Sequence, residues 1–301
     1  MINIIGNSSL MEDLPSYSVI ITSKDRPATL AETIQTLLRQ SHAPESILVV
    51  ADKPSDLNSL QNGCGSLIFP GALTAKRNAG VDNVPASSGL LLFVDDDVEL
   101  HHDYARYACE LFACHPEIVA ASGNVLVDAS IPRARAVGIL AEARIPKSDF
   151  KSRGRDSVLY GCNMMLRREA ALHERFDEAL PLYSFGEDYE ISIRLRRRGL
   201  VGRFSTGLLV HLKVSTGRLN RKRLAWSIMA NNWYFIRKGS THLPPHLAYL
   251  RFAWIFFHIG REQLQLDLEE RNSQFPGTRG VLLAIKHLLT GKLQPKRLLE
   301  L

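Results

Sequence analysis

The sequence predicts an α/β fold: a mostly parallel central sheet flanked by helices, followed by a helical C-terminal appendage. Three observations point there. Short, continuous apolar runs recur along the first two thirds of the chain, as in strands buried on both faces. Stretches with helical spacing separate them, the alternation expected of parallel strands joined by crossover helices. Beyond Thr216 the runs stop, and the pattern stays helical to the end with breaks at Pro244-Pro245 and Pro276-Gly277.

The elements follow in order. Tyr17 to Thr22 (YSVIIT) reads as a strand. Pro27 and Thr29 open a helix, Thr29 with Glu32 forming a capping-box pattern, and Leu30, Ile34, Leu37 and Leu38 set one apolar stripe. Ile47 to Val50 and Leu67 to Phe69 are strands, and Thr74 to Val84 is a helix. Leu90 to Val94 is the next strand, Tyr104 to Ala113 a helix, and Ile118 to Val127 a strand. Ala129 to Ser157 is polar, basic and without clear periodicity, and is expected to be irregular. Asp188 to Arg198 is a short amphipathic helix stopping at Gly199, and Leu208 to Leu212 a last strand.

Composition bounds the function. The chain has 301 residues, with 45% hydrophobic and 23% charged, as in an ordinary globular protein. The longest apolar candidate, Leu247 to Ile259, is too short to span a bilayer and contains Arg251 and His258. The N-terminus lacks a basic segment followed by a sustained apolar one, so no signal peptide is expected. Cys64, Cys109, Cys114 and Cys162 form no CxxC pair; reduced thiols of a cytoplasmic protein are the default. The charge is uneven. From Thr216 onward 14 Lys/Arg stand against 5 Asp/Glu, a balance of +9 in a chain whose total is +6. A basic tail on a near-neutral body suits an anionic partner.

Asp95-Asp96-Asp97 is the densest chemical signal. The three acids end the apolar run Leu90 to Val94, and ligands of open α/β sheets bind at the carboxyl ends of the strands. Adjacent carboxylates repel one another unless a cation sits among them, and a hard ion, Mg²⁺ or Mn²⁺, fits oxygen ligands and substrate phosphates. A solvated acidic turn is the alternative. Right-handed crossovers place the loops after successive strands on one edge. Thr22, Asp52 and Asp95 to Asp97 each lie at or just after a strand end and should converge on one cleft.

The ordered set of segments resembles glycosyltransferase family 2. Those segments are SVIITSKDRPATLAETIQTLLRQ (18–40), LVVADKPSD (48–56), LTAKRNAGV (73–81), LLFVDDDVEL (91–100), YGCNMMLRREA (160–170), FGEDYEISIRLRRRG (185–199) and LLVHLK (208–213). The resemblance implies the Rossmann-like GT-A fold over residues 1–215, with 216–301 as a separate basic, aromatic-rich helical region. It implies inverting transfer of a sugar from a nucleotide-sugar, most often a UDP-sugar, to a hydroxyl of a glycan or lipid-linked acceptor in surface polysaccharide assembly. By position, Thr22 would border the nucleobase and Asp52 would bond it, while Arg77 would lie near the nucleotide. Asp97, with Asp95 and His211, would hold Mn²⁺ or Mg²⁺, and Asp95 and Asp96 would share metal and ribose contacts. Gly161 and Asn163 would line the donor-sugar and acceptor pocket. Asp188, beside Glu187, would be the catalytic base. Taken alone, Glu187 and Asp188 read first as helix N-terminus residues and His211 as a structural histidine, readings that only the resemblance reverses, and Arg77 also suits a solvated helix position.

Two departures stand out. The acidic pair usual after the second strand is Ala51-Asp52, followed by Lys53-Pro54, so the base contact rests on Asp52. The QxxRW segment of processive members is missing, which argues for single addition.

In the tail, Trp226, Trp233, Tyr234, Tyr249, Phe252, Trp254, Phe256 and Phe257 lie near Arg221 to Arg223, Arg237-Lys238, Arg251 and Arg261. That composition fits either an interfacial helix on anionic lipid, at the inner face of the plasma membrane, or a helical cap. Two other functions compete: a nucleotidyltransferase, and a non-enzymatic basic protein binding membrane or nucleic acid. The first lacks a Gly-rich phosphate loop, where Thr22 to Arg26 stand instead. The second sits poorly with the retained Asp97, Asp188 and His211, and no nucleic acid is expected as partner.

Overall fold

The computed structural model describes residues 2–3, 14–128, 131–212, 220–271 and 274–301. In chain order the elements are β1 (Ile2–Asn3), β2 (Tyr17–Ser23), α1 (Pro27–Leu38), β3 (Ser46–Ala51), β4 (Gly65–Ile68), α2 (Leu73–Asn83), β5 (Leu90–Asp95), β6 (Val98–Leu100) and α3 (Tyr104–Cys114). There follow β7 (Ile118–Asp128), α4 (Arg133–Glu142), β8 (Asp149–Lys151), β9 (Asn163–Arg167), α5 (Arg168–Glu174), α6 (Glu187–Leu195), β10 (Leu200–His211), α7 (Arg221–Lys238), α8 (Pro245–Glu269) and α9 (Pro276–Leu289).

The chain separates into two compact units. The first is Met1–Gly71, Ala75–Phe176 and Arg194–Gly217; the second is Ala72–Thr74, Asp177–Ile193 and Arg218–Leu301. The boundary expected at 215–216 falls within 213–219, outside the described residues, as do Ala129 and Lys213.

The first unit is built on a 10-stranded sheet in the order β1-β8-β10-β7-β9-β5-β2-β3-β4, with β6 paired to β10. β2, β3, β4, β5, β7 and β10 run one way, and β9 is inserted antiparallel between β5 and β7. Every residue of β2 is buried, and so is every residue of β5 before Asp95, which is why apolar residues dominate both strands. α1 buries Leu30, Ile34 and Leu37 in the core that also holds Val19, Ile21, Val49, Leu92 and Val94. Between β7 and β10 the backbones approach closely at two glycines. A Cβ on Gly123 would run into the Gly207 carbonyl and come within 2.5 Å of the Tyr104 ring.

Four expectations change. The N-cap of α1 is Arg26, without a side-chain cap, and Pro27 takes the first helical position. Its fixed φ and missing N–H suit that position, so Thr29 lies inside the helix and no capping box forms. The 129–157 stretch is not irregular throughout: it contains α4 and β8. β10 begins at Leu200, eight residues before the strand expected at Leu208. β9 adds an antiparallel strand at Asn163–Arg167, where the sequence reading places pocket-lining residues but no element.

In the second unit, α7, α8 and α9 pack around Trp226, Met229, Phe252, Val281 and Ala284. The Asn220 side chain caps α7 by accepting from the Arg223 N–H at 2.9 Å, and Gly239 (φ 76°) ends it. Proline opens both α8 and α9 within their first turns, as the two expected breaks require. Asp267, wholly buried, accepts from Gly277 N–H at 3.3 Å and Thr278 N–H at 2.8 Å, and pairs with Arg221 at 2.9 Å. One carboxylate thereby ties the start of α9 to α7 and α8.

Candidate functional site

The sheet sets the site. β2 and β5 are paired in parallel with Thr22 opposite Asp95, so both end on the same edge. β10 ends at His211, opposite Asp128 of β7 and Val98 of β6. Three strand ends thus bring together residues far apart in sequence. One ligand atom each of Asp95, Asp97 and His211 lies within 4.8 Å of the others. The His211 Nε2 is 3.2 Å from an Asp97 oxygen and 3.9 Å from an Asp95 oxygen.

The other ring nitrogen is occupied. His211 Nδ1 lies 3.0 Å from the Asp128 carboxylate, which in turn accepts from the Tyr160 hydroxyl. With Nδ1–H donated to Asp128, the Nε2 lone pair is directed at Asp95 and Asp97. Burial works to lower the His211 pKa, but the surrounding carboxylates outweigh it and raise it. Asp95 is also shifted upward, by burial first, against the nearby Arg77 guanidinium. Two carboxylates and an imidazole held so closely, with Asp95 and His211 both shifted toward binding a proton, form a donor set that a divalent cation fits.

Around this cluster the sequence-predicted residues divide. Arg77, buried, donates to the Gly161 carbonyl at 2.8 Å and lies 3.4 Å from Asp95. Gly161 joins the cluster through that bond. Asn163 does not open on a pocket. It is fully buried, and its Oδ1 accepts from Tyr104 O–H at 2.9 Å and Gly123 N–H at 2.6 Å, bracing β7 against α3. Asp96 also turns inward. It accepts from Ser23 O–H at 2.6 Å and pairs with Arg26 at 2.7 Å; burial pushes its carboxyl up to about 7, with Arg26 and Ser23 opposing.

Asp52 follows β3, set between Lys24 at 2.7 Å and the buried Lys76. Burial would raise its pKa, but the two ammoniums outweigh it and hold the carboxyl below its ordinary value. Glu187 and Asp188 stand in the first turn of α6, within the second unit. Glu187 is buried, and its carboxylate accepts from the Asp188 N–H. Glu190, also buried, is neutralised by Lys238 at 2.7 Å and accepts from Ser240 O–H at 2.9 Å. Asp188 is half-buried; its carboxylate accepts from Tyr189 N–H at 2.8 Å.

Sequence reasoning missed Arg26, Asp128 and Lys76. Arg26 bonds Asp97 at 2.9 Å as well as Asp96, so one guanidinium fixes two of the three acids. Its partners Asp96 and Asp97 lie 70 and 71 residues on in the chain, and Asp128 lies 83 residues before His211, so no local spacing announces either.

A model described as "Glycosyltransferase like family 2" matches residues 15–226. The amylovoran biosynthesis glycosyltransferase AmsB of Erwinia amylovora is 24% identical over 214 residues, covering 63% of this chain and 66% of AmsB. Among solved structures, GalNAc-T7 with UDP, GalNAc and Mn²⁺ superposes with TM-score 0.53 at 15% identity, over 87% of this chain and 59% of that one. S. aureus TarS gives TM-score 0.50 at 15% identity, over 77% and 41%. The chain therefore spans less than two thirds of the length of each of these proteins. The structural likeness carries the fold, the mixed α/β GT-A arrangement with helices flanking a mostly parallel sheet.

Proposed function

We propose that this chain, which belongs to the glycosyltransferase-like family 2, is a glycosyltransferase that moves a sugar from a nucleotide-sugar to an acceptor hydroxyl during polysaccharide assembly. The observation that carries the reading is the Asp95, Asp97 and His211 cluster at the ends of β5 and β10, with Arg77 against Asp95. The name of AmsB, an amylovoran biosynthesis glycosyltransferase, supports the polysaccharide setting, with a glycan or lipid-linked acceptor.

Asp95, Asp97 and His211 would hold Mn²⁺ or Mg²⁺, and the imidazole leans toward Mn²⁺. Such an ion, when bound, supplies Lewis-acid stabilisation of the charge that grows on the leaving diphosphate. Arg77 places a fixed positive charge beside the same acids. Asp52, kept ionised by Lys24 and Lys76, accepts an N–H of the base, as uracil offers, and Thr22 borders it. Asp188 takes the acceptor proton as the new C–O bond forms, with Glu187 holding its backbone. A single displacement of this kind inverts the anomeric centre.

The test is calorimetric titration of the chain with UDP, GDP, dTDP and CDP, with and without Mn²⁺. Metal-dependent binding of one nucleotide, with UDP expected, supports the reading and gives the donor class; no binding by any of the four sinks it. Asp128→Asn is expected to weaken Mn²⁺ binding by about 10–100-fold, the usual cost of losing a carboxylate that orients a ligating histidine. Asp128 is 40% exposed at its side chain, so the melting temperature should barely move. Unchanged Mn²⁺ affinity would remove Asp128 from the site.

A further inference from the structure

Helix α8 has two apolar faces. One, with Phe252, Phe256 and Ile259, packs in the core of the second unit. The other carries Leu247, Leu250, Trp254 and Phe257, which are 42, 66, 61 and 75% exposed. Steps of three and four residues put these four on one stripe, and Leu264 and Leu268 continue it. An outer helix face normally carries charge. Over residues 245–260 the only charged side chain of α8 is Arg251. Contiguous exposed apolar surface of this kind marks an interaction site.

We propose that this stripe docks on the headgroup layer of an anionic lipid bilayer, with α8 lying in the interface plane. Charge selects the occupant. From Arg221 to Arg261 the chain has seven Lys/Arg and no Asp or Glu; Arg221 and Lys238 are ion-paired with acids elsewhere in the unit, so the charge offered to a surface rests on Lys222, Arg223, Arg237, Arg251 and Arg261. Those cations attract an anionic surface. A second copy would present the same charges and be repelled. Arg261 sits in line with the stripe, where its aliphatic stem lies along lipid while the guanidinium reaches the headgroups. Trp254, stacked on His258 at 4.9 Å, is of the residue type that favours the membrane–water boundary. No described helix is long and apolar enough to cross a membrane, so the geometry is that of a helix resting on the bilayer. The docking needs neither metal nor nucleotide, and it stands or falls apart from the catalytic reading.

The experiment is co-sedimentation of the full chain with vesicles of phosphatidylcholine alone and of phosphatidylcholine mixed with phosphatidylglycerol. The expected result is binding to the anionic vesicles that weakens as salt rises from about 0.1 M to several times that. It comes with a blue shift of tryptophan emission that Trp254→Phe abolishes. Leu250→Ser with Phe257→Ser should lower the partition by about tenfold or more, through lost apolar burial. Both side chains already face solvent, so the circular dichroism and melting temperature should stay put. Three results overturn the proposal. They are equal binding by the double variant, no binding to either vesicle, or a dimer in sedimentation equilibrium that the double variant splits while vesicles are ignored.

Discussion

Asp97→Ala is expected to abolish metal-dependent nucleotide binding and to lower kcat/KM by at least about 10³-fold. Asp97 is the most committed member of its cluster. One oxygen faces His211 Nε2 at 3.2 Å and the other accepts from Arg26 at 2.9 Å. It is buried, so no water replaces the lost carboxylate without reorganisation. The substitution removes a ligand atom and also frees one arm of Arg26, which still holds Asp96. A moderate fall in melting temperature should accompany the loss, and Asp97→Asn separates the two effects. Asn keeps the side chain's shape and an acceptor for Arg26 but not the negative charge. If the site holds a cation, Asn restores most of the stability and little of the nucleotide binding. If Asp97 matters only as the partner of Arg26, Asn restores both, and the metal reading fails.

The parallel core was legible because burial on both faces leaves no room for alternation. LLLFV is apolar throughout and YSVIIT nearly so, and both runs are covered to match, with the buried Ser18 bonded to Ser46 and Ser88. What the sequence hid was set by partners distant along the chain. α4 buries only Ala136 and Leu140, too few positions to raise a helical period above its arginines. The stretch of β10 before Leu208 carries Gly202, Arg203, Ser205 and Gly207. Its glycines are demanded by the Phe150 ring and by Phe204 of the same strand, contacts no local pattern encodes. The site divides in the same way. Asp95 to Asp97 stood out because consecutive acids after an apolar strand are unusual locally, whereas His211 entered only through the family resemblance. Asp128 and Arg26 looked like ordinary surface charges until β7 and α1 brought them to His211 and Asp97. Asn163 misled in the opposite sense: it stood in a segment rich in signal, but it spends its side chain on Tyr104 and Gly123.

Asp188→Asn is expected to lower kcat by about 10²–10⁴-fold while leaving metal-dependent nucleotide affinity within about twofold of the wild type. The first turn of α6 carries Glu187, Asp188 and Glu190, a grouping that the positive end of a helix dipole favours. The structure separates the three. Glu190 is spent on Lys238 and Ser240, and Glu187 is buried on the Asp188 backbone. Asp188 is the half-buried member. Asn at 188 keeps an acceptor for the Tyr189 N–H and serves a helix start about as well as Asp does. If Asp188 serves only the helix end, kcat and melting temperature both stay near wild type, and the base lies elsewhere. If it takes the acceptor proton, only kcat falls, because an amide cannot accept that proton however well it is placed. Glu187→Gln is the matching control: it keeps the bond to the 188 backbone, so it should cost far less in kcat than Asp188→Asn. A loss of the same size in both variants would move the catalytic role from Asp188 to the pair.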